Sequence, residues 1–552
     1  MPTALRIALT PLALTLRLGY PDAHGEPALI RSTHVRQFAA RLAVAAALLP
    51  GTAAAAELRL TAGDLQPLAD GVWMAPGLTL PDPDPALPLF GEALPAEISR
   101  PLRRALKSAH GFAGIVYDNR DRGHSQLAPD LFPQLTHLVY APELHAAGAD
   151  QGLAGAFLLP AVVFGNSSTA VTSGPIARSL PRLAMTTGAG PAANARLYRN
   201  DHLYVYPEHR DHDAADRFPA NWPYMVISQG SSGSDRVFLQ AIASTLAAFP
   251  ADTFAAMRDE GLVAPTLQMI LRRNLEGVAD EADYFTGAAH PVAIEGSRLR
   301  PGRMISQAAA MTPEAMPPLV ALTVEEESFT EAAGLAGLSE RLFDTPQAVA
   351  RIWRDWDWER EMVVRAEIAA GAEEGVTFDW RLLQGDPERV AIEPLDEEGR
   401  RARLRIAWHD PWEVPRALDR DAARAEETPV RQLSRIDIAV FARRPGAAPS
   451  APAFVTVAFP AHQIRRYAPR PDGRVQLVSV DYDAAGRGAY VDPLLHWSAP
   501  WTDRPVYDAA GTLISWDRTR SSGETVTSLP SEPGYSIDRT TPRMPVLEEA
   551  GQ

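Results

Sequence analysis

The chain has 552 residues, 46% of them hydrophobic, so it can bury several cores and is expected to form roughly two to four domains. Its formal net charge of −15 argues against a nucleic-acid binder, because such proteins carry basic clusters that replace phosphate counterions. The sequence contains no cysteine, which excludes disulfides, thiolate metal sites, a cysteine nucleophile and a cysteine-linked lipid anchor.

The first segment with a clear pattern is residues 35–56, where two arginines precede a short apolar run, a Pro-Gly break and several small residues. That order is typical of a secretory signal peptide, with an apolar surface helix as the alternative. The apolar run is shorter than the roughly 20 residues of a membrane span, so the mature chain is predicted to be periplasmic or secreted, with no membrane span. Residues 1–34 show no coherent pattern, and we interpret them as a misplaced gene start, with Val35 read from a GTG codon.

Residues 57–365 are predicted to form an α/β or α+β domain that carries the function. An extended Pro- and Asp-rich stretch leads into a helix near residues 98–110, and four apolar segments are predicted as buried strands, each followed by a polar loop. Ligands commonly bind at strand ends in such domains, so the four loops are expected to converge on one cleft. The strands and their loops are 112–117 with 118–125, 157–164 with 165–169, 202–206 with 207–213, and 224–228 with 229–235.

Helices are predicted after the last of these loops. Ser234 or Asp235 is expected to cap the first of them, and two more are expected near residues 252–259 and 266–275. The pair Thr345-Pro346 is interpreted as the start of a further helix, because a cap residue followed by proline is typical of a helix N-terminus.

After Gly375 the pattern changes to alternating apolar and polar residues, which predicts short strands and a β-sandwich over residues 370–460. The predicted strands are 376–380, 389–392, 402–408, 436–441 and 453–459. Their contents, and the phrase from Phe378 to Pro387, resemble the PKD-like, immunoglobulin-type modules of secreted bacterial proteins. The resemblance implies a spacer or adhesion module and assigns no catalytic residue.

Residues 461–552 are predicted to form a β-hairpin segment and a flexible tail. Within them, 482–487 and 507–513 resemble the Tyr-Asp hairpin unit of β-repeat surface proteins. The whole chain, through the phrases 206–213 and 228–235, also resembles a family of uncharacterised exported bacterial proteins. That second resemblance supports export and implies no particular activity.

One loop region concentrates imidazole and carboxylate groups, which suit Zn²⁺ or another divalent metal that activates water. Its spacing is not HExxH, and the alternative is a solvated loop with internal ion pairs. A divalent metal is the only cofactor that the residues suggest. The candidate metal ligands are His202, Glu208, His209 and His212, and the candidate catalytic residues are His209, Asp211 and His212.

The other loops carry hydroxyl, amide and charged groups. Ser231 and Ser232 lie between a strand and a helix and are candidate nucleophiles, although the spacing departs from GxSxG. His124 is a further catalytic candidate. In each loop the alternative is an ordinary capped or ion-paired turn. The candidate ligand-binding residues are Asn119, Arg120, Asp121, Asn166, Ser167, Ser168, Ser234 and Asp235.

Eight of the 13 histidines lie between His110 and His290, which places any active site in the first domain. The leading hypothesis is an extracytoplasmic hydrolase or lyase acting on a polar polymer such as a glycan. The alternative is a non-catalytic periplasmic or cell-surface protein for ligand binding or adhesion, in which the same loops hold a glycan or a polar small molecule.

Overall fold

The structure is a computed structural model that describes residues 55–172, 177–335, 337–416, 430–482, 496–497, 501–530, 535–538 and 546–549. Residues 1–34 and most of the predicted signal peptide lie outside this set. None of the helices in the described ranges is long and apolar enough to cross a membrane.

The first half of the chain mixes strands and helices, as predicted for an α/β or α+β region. Its strands are β1 (Glu57–Leu60), β2 (Gln66–Pro67), β3 (Val72–Met74), β4 (Ile115–Asn119), β5 (Thr136–Tyr140), β6 (Ala156–Leu158), β7 (Val162–Asn166), β8 (Ala170–Val171), β9 (Arg178–Ser179), β10 (His202–Pro207) and β11 (Met225–Ser228). Its helices are α1 (Ala96–Ala105), α2 (Pro142–Ala146), α3 (Leu180–Thr186), α4 (Gly190–Arg199), α5 (Arg236–Ala248), α6 (Ala251–Glu260), α7 (Val263–Arg273), α8 (Glu281–Tyr284) and α9 (Pro301–Ala309).

A six-stranded sheet in the order β1-β5-β4-β7-β10-β11 organises this half, and every neighbouring pair is parallel. Every residue of β7 and β10 is buried, as expected for a parallel sheet covered on both faces. Within this sheet the chain passes from β4 to β5 on one side of β4, and then to β7 on the other side of β4. The sequential order of the sheet therefore reverses between β4 and β7, and crevices for ligands form at the carboxyl ends of strands around such a point.

Side chains alternate between the two faces of this sheet. Tyr117 and Asn166 point to the face that meets the start of α5, where Asn166 binds Asp235. Asp118 and Tyr204 point to the other face, which meets α4. The same strand ends therefore supply two separate sets of polar groups.

The second half is built mainly from antiparallel strands. Its strands are β12 (Leu319–Glu327), β13 (Arg341–Thr345), β14 (Ala348–Ile352), β15 (Glu359–Ala370), β16 (Thr377–Gln384), β17 (Val390–Pro394), β18 (Arg401–Ala407), β19 (Trp412–Pro415), β20 (Val430–Leu433), β21 (Arg435–Arg443) and β22 (Ala453–Ala458). A four-stranded sheet, β12-β15-β18-β17, and a five-stranded sheet, β13-β14-β22-β21-β16, contribute to one hydrophobic cluster. All five predicted strands are present in these two sheets.

The predicted helix at Thr345 is wrong. Thr345 ends β13, and Pro346 and Gln347 form the turn into β14, every residue of which is buried. The strand is held by parallel pairing with β22, from Ala348 opposite Phe454 to Ile352 opposite Ala458. Long-range pairing therefore overrides the local helix signal.

The last strands are β23 (Ile464–Pro469), β24 (Val475–Asp481), β25 (His496–Trp497), β26 (Trp501–Tyr507), β27 (Leu513–Arg520), β28 (Thr525–Ser528), β29 (Tyr535–Asp538) and β30 (Val546–Glu549). The hairpin predicted at 507–513 joins β26 to β27, and Asp508 Oδ1 accepts the N–H of Thr512 at 2.8 Å within its turn. Gly511 has φ +85° in the same turn, a conformation that favours glycine. Apart from Tyr482, the other predicted hairpin unit lies outside the described residues.

Candidate functional site

The four predicted polar loops meet at the carboxyl edge of the parallel sheet. They follow β4, β7, β10 and β11, which are neighbours in that order, so their first residues lie side by side. The loops therefore lie together as predicted, but Arg120 of the first loop faces the other side of the sheet, so the expectation of one shared cleft is not confirmed. Hydrogen bonds link the loops as follows: Asn119 to Asn166, Asp121 to Ser168, His209 to Ser168, Glu208 to Gly230, and Asn166 to Asp235.

Asp121, His124 and Ser168 form a compact polar cluster in this edge. The Ser168 hydroxyl donates a short hydrogen bond to Asp121 Oδ2, and the backbone N–H of Ser168 donates to the same oxygen at 3.0 Å. His124 Nδ1 lies 2.8 Å from Ser168 Oγ and 3.1 Å from Asp121 Oδ2. The His124 side chain is 59% exposed, so solvent reaches the cluster from the imidazole side.

This arrangement differs from a serine triad. In a triad the carboxylate and the serine contact opposite nitrogens of the imidazole, whereas here both contact Nδ1 of His124. The pattern is consistent when Ser168 donates its proton to Asp121 and the Nδ1–H of His124 donates towards the two oxygens. Asp121 is then the group placed to accept the serine proton.

Backbone strain is concentrated in the same loops. Six non-glycine residues have a positive φ among the described residues, and four of them belong to the loops after β4 and β10. Such conformations persist only where neighbouring contacts hold them, and they cluster at functional sites. Arg122 illustrates the cause, because its guanidinium holds both carboxylate oxygens of Asp150, at 3.0 and 3.1 Å. The four residues are Arg122, Ser125, His209 and Arg210, with φ values of 50°, 53°, 45° and 72°.

A buried amide network supports the cluster from one face of the sheet. The Tyr117 hydroxyl donates to Asn166 Oδ1 at 2.6 Å, and Asn166 Nδ2 donates to Asp235 Oδ2 at 2.5 Å. Burial raises the pKa of both Tyr117 and Asp235. The Asp235 side chain makes no capping hydrogen bond to α5, and the Ser234 hydroxyl lies 2.9 Å from that of Ser228. Asp235 therefore occupies the N-cap position as predicted, but its side chain ties α5 to β7 instead of capping the helix.

Glu208 and His209 position the loop after β10. The Glu208 carboxylate accepts the N–H of Gly230 and the N–H of His212, both at 3.0 Å. Burial raises the pKa of Glu208, and these two hydrogen bonds oppose the shift. His209 Nε2 lies 2.8 Å from the carbonyl oxygen of Ser168, so the ring donates there and holds the serine loop.

The predicted metal ligands are not assembled. His202 stands six residues before Glu208 on an extended strand, roughly 20 Å away. Leu159 N–H donates to one ring nitrogen of His202 at 3.0 Å, and the other ring nitrogen lies 2.5 Å from the carbonyl oxygen of Asn200. His212 turns to Asp216, with Nδ1 3.6 Å from its carboxylate. In the part of the chain that the structure describes, no group of three His, Asp or Glu side chains is placed to hold a metal ion.

Three other catalytic candidates lie away from the cluster. Asp211 accepts the N–H of Ser179 at 2.8 Å and lies 3.3 Å from Arg182 Nε, so it anchors the start of α3. Ser231 and Ser232 are exposed, and their hydroxyls make no hydrogen bond to any described residue. The Ser167 hydroxyl, a candidate for ligand binding, donates to Thr169 Oγ1 at 3.2 Å beside the cluster.

Arg120, predicted to bind ligand beside Asp121, points to the opposite face of the sheet. There its neighbour Asp118, which the sequence analysis did not single out, accepts hydroxyl hydrogen bonds from Tyr140 at 2.9 and 3.0 Å and from Tyr204 at 2.7 Å. Burial raises the pKa of Asp118, and Arg120 opposes that shift. The alternation of Tyr204 and Tyr206 along β10 is the sequence signal that would have indicated this polar face.

Comparisons with known proteins supply no family. No family model matches the chain, and no curated protein matches it. Among solved structures, a point mutant of the SrpA adhesin from Streptococcus sanguinis is 14% identical, covering 31% of this chain and 85% of that one, with a TM-score of 0.13. The SrpA adhesin itself is 13% identical, covering 40% and 93%, with a TM-score of 0.15. Such scores carry no argument about fold or function.

Proposed function

We propose that this protein is an extracytoplasmic hydrolase that acts on ester groups of a polar polymer such as a glycan. The observation that carries the proposal is the contact between the Ser168 hydroxyl, the Asp121 carboxylate and the His124 imidazole at the sheet edge. A hydroxyl with a proton acceptor in hydrogen-bond reach has the geometry that nucleophilic catalysis requires. The exposed ring of His124 suits a substrate too large to be enclosed.

Ser168, Asp121 and His124 together can carry out a two-step acyl transfer. The Ser168 oxygen attacks the ester carbonyl carbon while its proton passes to Asp121. The bond to the leaving alcohol then breaks, and Asp121 gives that proton to the alcohol oxygen. Water then attacks the acyl-serine, gives a proton to Asp121 and releases the acid, and the Ser168 oxygen regains the proton. The Nδ1–H of His124 stabilises negative charge as it develops beside Ser168.

The β-rich half fits an accessory role in this proposal, and its Phe441 and Phe454 pack in the same core as the first half, so it would also brace that half. The two sheets that share one hydrophobic cluster support an immunoglobulin-type sandwich of the PKD-like kind, which would hold the first half away from a surface. Export rests on the signal-like segment 35–56 of the sequence.

The proposal is tested by assaying the mature chain against acetylated glycans and p-nitrophenyl acetate, with and without EDTA. Ser168→Ala and Asp121→Asn should each lower kcat by about 100-fold or more, since each removes a group that takes part in the chemical step. His124→Ala should have a smaller effect. Ser231→Ala is the matched control, because Ser231 is an exposed serine of a neighbouring loop whose hydroxyl makes no hydrogen bond to a described residue.

Turnover that survives both Ser168→Ala and Asp121→Asn would refute the proposed centre. Glycan binding without any turnover would favour the alternative, a non-catalytic protein for ligand binding or adhesion. Loss of turnover in EDTA would indicate metal chemistry outside the described residues.

A further inference from the structure

A cavity of about 320 Å³ lies on the α4 face of the parallel sheet. Arg120, Tyr204 and Tyr206 line its sheet side, and α4 and the segment 152–156 form its walls. Its volume is at the lower end of the range for small-molecule sites and corresponds to about ten water molecules. The Ser168 cluster uses none of these residues, so the cavity is a separate site.

Arg120 brings spare hydrogen-bond donors to this cavity. Its side chain is 2% exposed, and its N–H groups donate to the carbonyls of Gly152 and Ala149 and to the hydroxyl of Tyr140. A guanidinium has five N–H donors, so two remain unused. Its charge is packed 5.2 Å from the centre of the Phe157 ring, which holds the group in place.

Asp118 forms a loose ion pair with Arg120 without a direct hydrogen bond to it. The nearest approach of Asp118 to Arg120 Nη1 is 3.8 Å, beyond hydrogen-bond distance, and its oxygens are instead taken up by the hydroxyls of Tyr140 and Tyr204. Burial raises the pKa of Asp118, and the nearby Arg120 opposes that shift. An incoming anion would therefore find a cation with free donors.

Tyr206 supplies an unpartnered hydroxyl. Its residue is only 3% exposed, and its hydroxyl has no hydrogen-bond partner among the described residues. The hydroxyl of Tyr204, two residues earlier on the same face, does have one in Asp118. Because Tyr206 lines the cavity, a ligand there can form a hydrogen bond with this hydroxyl.

The wall opposite the sheet is made of small and polar side chains. Gly190 and Ala193 of α4 leave the space open, and Asn194 brings an amide that is nine-tenths buried. Asn194 uses its Nδ2 to donate to Gly190. Its Oδ1 accepts no hydrogen bond from a described residue and is free to accept one from a ligand hydroxyl.

We propose that this cavity binds a small hydroxylated carboxylic acid about the size of one sugar ring. Its carboxylate meets Arg120, and its hydroxyl groups meet Tyr206 and Asn194. This inference does not depend on hydrolysis at Ser168, and each can fail without the other.

The test is calorimetric titration of the full chain with sodium glucuronate, and in parallel with glucose, which has the same ring without the carboxylate. Glucuronate should bind, and glucose should bind at least tenfold more weakly. Tyr206→Phe should weaken glucuronate binding by about tenfold without lowering stability, because the lost hydroxyl has no partner among the residues that the structure describes. Ala193→Phe should abolish binding by filling the cavity.

Tyr198→Phe is the matched control. Tyr198 is a fully buried tyrosine of α4 with an unpartnered hydroxyl, but it does not line the cavity. Its removal should leave glucuronate binding unchanged. The inference is overturned if millimolar glucuronate gives no binding heat, if glucose binds as tightly, or if folded Tyr206→Phe and Ala193→Phe bind like wild type.

Discussion

Gly165 lies where any side chain would push the Tyr204 ring away from the buried Asp118 carboxylate. It lies in β7 opposite Asp118, and the ring of Tyr204 crosses over it to reach the Asp118 carboxylate. A Cβ at Gly165 would lie 2.7 and 3.0 Å from two ring carbons of Tyr204 and would also collide with the backbone oxygen of Asp118. Gly165→Ala should therefore move the tyrosine ring, the strand pair, or both.

The expected cost has two parts. Overpacking a filled interior costs about 1 to 3 kcal/mol. Displacing the Tyr204 hydroxyl removes a hydrogen bond to a buried carboxylate, which costs about 1.5 to 3 kcal/mol. Because the two effects share one cause they are not fully additive, and we expect Gly165→Ala to lower the free energy of unfolding by about 3 to 5 kcal/mol.

Urea denaturation measures this loss, and hydrogen–deuterium exchange locates it, since peptides covering β4, β7 and β10 should exchange faster than those of the β-rich half. Gly188→Ala is the matched control, because a Cβ there meets no atom within 4 Å, and its effect should stay within about 0.5 kcal/mol. If Gly165→Ala matches this control in stability and in exchange, the absence of a side chain at Gly165 is not what allows Tyr204 to reach Asp118.

Two further predictions concern stability. Burial raises the pKa of Asp201 to about 7 from 3.8, so the folded state binds the proton more tightly and stability falls as pH rises from about 4 to 7. This pKa difference corresponds to at most about 4 kcal/mol in the free energy of unfolding. Asparagine tolerates the φ of 58° at this position. In urea titrations, Asp201→Asn should be about 1 to 2 kcal/mol more stable than wild type at pH 8 and equally stable at pH 4. An equal gain at both pH values would contradict the assignment. His212→Ala should lower stability by about 1 kcal/mol, because it removes the ring 3.6 Å from the buried Asp216 while the ion pair of Asp216 with Arg435 at 3.0 Å remains, and elemental analysis should show unchanged metal content. A fall in bound metal would restore the metal hypothesis for His212.

At the candidate site, local sequence patterns predicted the positions of the loops but not the contacts between their side chains. Parallel strands end at one edge, so loops after adjacent strands had to be neighbours once the sheet order was β4-β7-β10-β11. Which side chains face each other was not predictable. Ser168, predicted only to bind ligand, contacts Asp121 because their loops follow neighbouring strands. Ser231, predicted as a nucleophile, is exposed, and its hydroxyl contacts no described residue.

Two errors have the same physical origin. The segment from Thr345 satisfied helix rules, yet pairing with Phe454–Ala458, about 100 residues later, made it a strand. His202 stood close in sequence to His209, yet an extended strand carried it to the far end of the sheet. Neither the partner strand nor the direction of a side chain is encoded within the few residues that a local pattern examines.

The sequence by itself located the four strand-and-loop junctions, the helices after them and the five strands after Gly375, because hydrophobic periodicity and turn residues act over a few positions. It also excluded cysteine chemistry through composition alone. Tertiary structure decided that Arg120 and Asp121, adjacent in the chain, serve opposite faces of the sheet, one at a cavity and one beside Ser168. The reason is geometric: alternate residues at a strand end point in opposite directions, and their partners come from distant segments that only folding brings near.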